Sequence, residues 1–176
     1  MGRMPHGELL TKLTVWLALI AYTLGTALSL NPRHRARPPA GARWAWTLGG
    51  ALFLAHVVCA FTYFHHWSHD DAYRETARQT AELTGWPSGG GLYIDYLFAA
   101  TWLVAVLHAW LAPESFRTSR WIAAWHGFVF FMMFNGAVVF VHGPTRWLGV
   151  LLCATLAIVW LRHWRSTKVE MPNAKS

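Results

Sequence analysis

Five long apolar runs constrain this chain more than any other feature. They lie at 13–30, 44–64, 92–112, 121–141 and 147–164. A helix needs about 20 apolar residues to cross the hydrocarbon core of a bilayer. The middle three runs have this length, and the first and last reach it with flanking residues. Since backbone polar groups in lipid must be paired within a helix or a closed barrel, the runs predict an all-α, polytopic membrane helix bundle of five spans.

The composition agrees with a membrane protein. Of the 176 residues, 55% are hydrophobic and 13% are charged, against roughly 25% charged in an average soluble domain. Twelve tryptophans are present, and many stand at the ends of apolar runs, where interfacial aromatic anchors are found. The anchors predicted in this way are Trp44, Trp46, Trp121, Trp125, Trp147 and Trp164. We expect residues 1–176 to form a single membrane domain with the lipid bilayer as its partner.

The positive charges predict the orientation. The formal net charge is +7, and four arginines fall in the loop at 31–43, between the first two runs: Arg33, Arg35, Arg37 and Arg43. The tail from Arg162 to Lys175 is also basic. Basic loops stay on the cytoplasmic side, which predicts a bacterial inner (plasma) membrane protein with its N-terminus outside and its C-terminus in the cytoplasm. Topology explains these charges, so a nucleic acid is not an expected partner.

The first apolar run has an alternative interpretation as a signal peptide. Ala27, Leu28 and Ser29 resemble a small-x-small cleavage site. The arginine block that follows them argues against cleavage, because such a block resists translocation.

The segment from 65 to 91 is predicted to lie outside and to contain a short amphipathic helix. Ser68 followed by Asp71 is a helix N-cap signal. Charged residues over 70–83 are spaced to pair along a helix, Asp70 and Asp71 with Arg74 and Arg78 with Glu82. Gly85, Pro87 and the run 89–91 then end the helix.

His108 and His126 form the first candidate site. Each lies nine residues from Arg117, in the loop joining the third and fourth spans, so an antiparallel pair of helices places them at similar depth. Two such histidines can ligate a haem iron axially or contribute to another metal site. They are predicted as cofactor-binding residues for haem b, with hydrogen bonding near the interface as the structural alternative.

A second candidate site lies on the outer side. His65, His66 and His69 follow the second run, and if that helix continues, His65 and His69 share one face at i and i+4, a chelating spacing. Asp95 and His142 lie near the outer ends of the third and fourth spans, and His56 lies lower in the second. The predicted metal ligands are His65, His66, His69, Asp95 and His142, binding a transition metal; a quinone or proton site is the alternative.

The motifs do not identify an enzyme class. The chain contains no Walker A, GxSxG, HExxH or Rossmann glycine pattern, and its two cysteines, Cys59 and Cys153, are far apart in apolar runs. The leading prediction is a small inner-membrane protein that acts as a subunit or accessory factor of a membrane complex. The alternatives are an electron-transfer protein that binds haem b or a quinone, and an outer-facing His/Asp metal-binding or transport protein.

The predicted orientation is tested with reporter fusions. A reporter fused after Ser176 should be cytoplasmic, and one inserted near Gly90 should be external, because the arginine loop and the basic tail are retained on the inside. The opposite result at both positions would reverse the orientation, and a mixed result would change the number of spans.

Overall fold

The computed structural model describes residues 5–31 and 37–169, with side chains for 6–31 and 37–165. It is all-α, with no strand among the described residues. Arg33, Arg35 and Lys175, on which part of the predicted orientation depends, lie outside the described residues, and of Lys168 only the backbone is described. The helices are α1 (Pro5–Ser29), α2 (Ala40–Tyr63), α3 (His69–Thr84), α4 (Gly91–Leu111), α5 (Pro113–Phe116), α6 (Arg120–Phe134), its π-helical continuation (Asn135–Val139), and α7 (Thr145–Val169).

The five predicted spans are confirmed as five helices long and apolar enough to cross a membrane. They form a ring in which α1 packs against α2 and α7, α2 against α4, and α4 against α6, which in turn packs against α7. The helices α3 and α5 both pack against α4. Helix α3 follows α2 and α5 follows α4, and because α2 and α4 run in opposite directions, the two helices lie at opposite ends of the bundle. We name these ends the α3 end and the α5 end.

The first span is longer than the sequence predicted, since α1 begins at Pro5 rather than near residue 13. Its polar residues are satisfied within the helix. The Thr11 hydroxyl donates to the Gly7 carbonyl at 2.8 Å, and Lys12 pairs with Glu8 at 2.6 Å. Local bonds of this kind let a helix continue through a polar stretch.

Two of the predicted interfacial tryptophans belong to the core instead. Trp46 and Trp125 are 1% and 3% exposed, whereas Trp44 is 63% exposed. Residues two apart on a helix point in nearly opposite directions, so the position at a run end did not determine which ring faces lipid. The Trp125 ring packs edge to face against both Tyr22 of α1 and Trp46, and the Trp46 indole donates to the Thr26 hydroxyl at 3.3 Å.

Small residues allow close approach of the helices. The row of Ala21, Gly25 and Ser29 on α1 is buried, and a Cβ on Gly25 would lie 2.8 Å from the Trp46 ring. At the other contact, a Cβ on Gly149 of α7 would collide with the backbone carbonyl of Ala137 in the π-helical stretch. The two backbones therefore meet with no space for a side chain.

Replacing Gly149 with alanine should destabilise the bundle. The carbonyl of Ala137 cannot rotate away as a side chain would, so we expect a loss of about 1–3 kcal/mol in the free energy of unfolding. Thermal unfolding in detergent measures it. Gly127→Ala is the control, because an added Cβ there meets nothing within 4 Å; equal melting temperatures for the two variants would contradict the close contact.

Candidate functional site

A cavity of about 1510 Å³ opens at the α3 end of the bundle. Residues from α1, α2, α3 and α4 line it, together with the segment that leads into α7. Its lowest lining residue on α2 is Phe53, ten residues before the end of the helix at Tyr63. At 1.5 Å per residue, this lining extends about 15 Å along the span. The cavity therefore reaches well below the end of the bundle.

Helix α3 forms the roof of the cavity. The predicted amphipathic helix is confirmed at His69–Thr84, and its predicted N-cap is formed, since the backbone N–H of Asp71 donates to the Ser68 hydroxyl at 3.2 Å. Gly85 ends it in the left-handed conformation, with φ of 78°. One face of α3 lines the cavity through Asp71, Arg74, Glu75, Thr76, Arg78 and Gln79.

The outer histidines do not share a helix face. Helix α2 ends at Tyr63, and His66 and Trp67 adopt left-handed backbone angles, with φ of 47° and 61°. The chain turns there, so the expected i, i+4 pair of His65 and His69 does not form. His65 Nδ1 instead lies 3.2 Å from the Asp71 carboxylate, and His69 Nδ1 lies 3.1 Å from the Tyr96 hydroxyl.

Most of the predicted outer residues nevertheless come to one place. His65, His66, Asp95 and His142 all line the cavity, together with His56, while His69 does not. They come from α2, α4 and two connecting segments. Within 5–31 and 37–165, no three His, Cys, Asp or Glu side chains are grouped closely enough to hold a metal ion. The predicted metal site stays a prediction, and the geometry found here does not favour it.

Asp95 and His56 supply unoccupied acceptors on the cavity wall, about one and two turns from the ends of α4 and α2 at the α3 end. The Thr11 carbonyl can only accept, so the His56 ring donates to it through Nδ1–H, at 2.8 Å. In the neutral ring His56 Nε2 then carries a lone pair, and it has no partner among the described residues. The Asp95 carboxylate likewise has no hydrogen bond or ion pair within this set.

Most of the charged side chains on the wall are already paired. Lys12 binds Glu8, and Arg78 binds both Glu75 and Glu82. The hydrogen bond from Arg78 holds the pKa of Glu75 below its usual value, so this carboxylate is ionised at neutral pH. The predicted partner of Asp70 and Asp71, Arg74, makes no ion pair with the described residues and lines the cavity.

His108 and His126 lie at the α5 end and both contact Phe116. The ring centroid of Phe116 is 5.5 Å from that of His108 and 6.4 Å from that of His126. His126 lies among aromatic rings and shares a hydrogen bond of 2.8 Å between its Nδ1 and the Tyr22 hydroxyl. The two histidines lie on neighbouring helices, as the sequence predicted. Each imidazole, however, already shares hydrogen bonds with protein groups.

Both ring nitrogens of His108 are occupied. The Trp121 indole, which can only donate, bonds to Nδ1 at 3.0 Å, and Nε2 lies 2.9 Å from the Ser115 hydroxyl. The ring is therefore the neutral Nε2–H tautomer, with no lone pair left for iron. Axial ligation would require the Trp121 bond to break. The haem b site at His108 and His126 stays a prediction, and this arrangement does not favour it.

Tyr22 is the residue that sequence reasoning missed. It links α1 to α6 through His126, and its ring packs against Trp102 and Trp125 at centroid distances of 5.8 Å. The available signal was a tyrosine in the middle of an apolar run, because a buried hydroxyl requires a partner. The sequence does not show which helix supplies that partner.

Comparison with known proteins gives no match to any protein family, any curated protein or any solved structure.

Replacing Tyr22 with phenylalanine tests the link between α1 and α6. Loss of the hydroxyl leaves His126 Nδ1 without its partner, and an unsatisfied buried polar group costs about 1–3 kcal/mol. We expect a lower melting temperature in detergent. Tyr93→Phe is the control, since Tyr93 is 55% exposed. If the two variants melted alike, the Tyr22–His126 bond would not stabilise the bundle.

Proposed function

We propose that this protein is a multi-pass inner-membrane protein that binds a small molecule in the cavity at its α3 end. In this proposal it acts as a subunit or accessory factor of a membrane complex, delivering or sensing that molecule. The cavity is the observation that carries the proposal, with its volume of about 1510 Å³ and its lining of titratable and aromatic side chains. Pockets for small ligands typically measure about 300–1,000 Å³, so a ligand and several waters fit.

The cost of polar groups in lipid supports a binding role. Ionisable side chains within spans are expensive and mark ligand or ion pathways. His56 and Asp95 lie within α2 and α4, and both line the cavity. A purely structural bundle gains nothing from an unpaired carboxylate at such a position. A role in contacting a ligand accounts for it.

The competing functions receive less support from the geometry. A metal-binding or transport role needs ligands that converge, and the described histidines and carboxylates form no such group. Electron transfer through haem b needs a free ring nitrogen on His108, where both are bonded. A quinone would be a ligand of the same cavity, so quinone binding is one form of the proposed small-molecule binding.

The proposed orientation places the cavity on the outer face. The described part of the arginine-rich segment, from residue 37, lies at the α5 end, where the Arg37 guanidinium is 3.7 Å from the Glu114 carboxylate of α5, and basic loops are retained in the cytoplasm. The α3 end then faces the periplasm. A ligand would enter from outside the cell or from the outer leaflet.

Filling the cavity tests the proposal. Ala60 lines it, so Ala60→Trp should remove binding by occupying the space. Ala124→Trp is the matched control, because Ala124 is exposed on α6 and outside the cavity. Binding of benzylamine, benzyl alcohol and benzoate to purified protein is measured by equilibrium dialysis.

We expect at least one of the three probes to bind saturably to the parent protein and to the Ala124→Trp control, and not to Ala60→Trp. Bound ligand should also raise the melting temperature, because it stabilises the folded state alone. Failure of all three probes to bind, or equal binding to both tryptophan variants, would reject a ligand site in this cavity.

A further inference from the structure

Two groups on neighbouring helices offer hydrogen-bond acceptors to the cavity, Asp95 of α4 and His56 of α2. The rings of Phe53 on α2 and Phe98 on α4 pack at a centroid distance of 4.8 Å, and His56 and Asp95 each lie about one turn from these rings toward the α3 end. The ionised Asp95 carboxylate can only accept hydrogen bonds, and it has no partner among the described residues. His56 donates through Nδ1 to the Thr11 carbonyl, which leaves Nε2 of the neutral ring as an acceptor. A ligand group that satisfies both must be a donor.

The walls around these acceptors are aromatic. Phe53, Phe61, Tyr96 and Phe140 line the same cavity. Aromatic faces attract cations that come within about 6 Å of the ring centre. They do not offer this attraction to carboxylates.

The remaining charges of the wall also favour a cation. Four carboxylates line the cavity, Glu8, Asp71, Glu75 and Asp95, against three lysine and arginine side chains, Lys12, Arg74 and Arg78. Lys12 is paired with Glu8. Arg78 is shared between Glu75 and Glu82, the second of which lies outside the cavity. Arg74, on the roof helix, is the remaining lysine or arginine side chain of the wall.

The geometry points to a protonated amine as the ligand of this cavity, bound with its ammonium group at Asp95 and His56. The inference rests on the proposed function, because it names the chemical class of the molecule in that site. An ammonium group donates to the Asp95 carboxylate and to His56 Nε2, and the aromatic wall covers its apolar part. Arg74 lies on the roof above, where it would meet any anionic group on the outer end of the same ligand.

The three aromatic probes test this, since benzylamine, benzyl alcohol and benzoate are similar in size and differ in charge. Near pH 7, where an aliphatic amine is protonated, benzylamine should bind at least about tenfold more tightly than the other two, because hydrogen bonds to charged groups are the stronger ones. Asp95→Asn should weaken benzylamine about 10- to 100-fold and benzyl alcohol much less, because an amide oxygen still accepts from a hydroxyl; retained benzyl alcohol binding also reports that the variant is folded. Asp95→Glu should restore part of the affinity.

The matched control is Asp70→Asn, a carboxylate on α3 that does not line the cavity; it should leave benzylamine binding unchanged. Equal affinity of the parent protein for all three probes, with no effect of Asp95→Asn, would overturn the amine assignment while leaving the binding cavity in place. Preference for benzoate would overturn it as well and would assign the site to anions through Arg74. If none of the probes binds, the proposed function and this assignment fail together.

Discussion

The fold depends on one constraint, that a polar group inside the bilayer must find its partner within the protein. The hydrogen bond between Tyr22 and His126 meets this constraint across two helices, α1 and α6, that are distant in sequence. Trp102 extends the same network by donating to the carbonyl of Trp46 at 3.0 Å. Lipid offers no hydrophobic drive to bring helices together, so such bonds and the close packing of small residues hold the ring.

The same constraint makes the cavity informative. Most of the polar groups described above, including His108, His126 and the threonines of α1, are satisfied by protein atoms. Asp95 and His56 Nε2 are different, because they are left open toward a cavity. The proposed binding of a donor depends on these open acceptors, because ionisable groups within spans are costly unless they contact a ligand or another polar group.

The sequence located candidate residues better than it located their partners. It identified His65, His66, Asp95 and His142 as an outer group, and these residues line one cavity. It placed His69 with His65, but the left-handed backbone at His66 and Trp67 sends His69 to Tyr96 instead. The residue types gave little sign of that turn, because positive φ is uncommon in any residue other than glycine, although histidine adopts it more often than most. The sequence also could not distinguish the buried Trp46 from the exposed Trp44. Residues two apart point to nearly opposite sides of a helix, and only the packing decides which side is buried.

The sequence by itself determined the all-α class, the five spans and the amphipathic helix with its Ser68 cap, since these follow from local length, periodicity and capping. Tertiary structure alone decided that the spans close into a ring, that Tyr22 is the partner of His126, and that residues from four helices line one cavity. The physical reason is that helix formation depends on bonds between residues four apart. Which faces meet depends instead on packing between segments that may lie a hundred residues apart, as Tyr22 and His126 do.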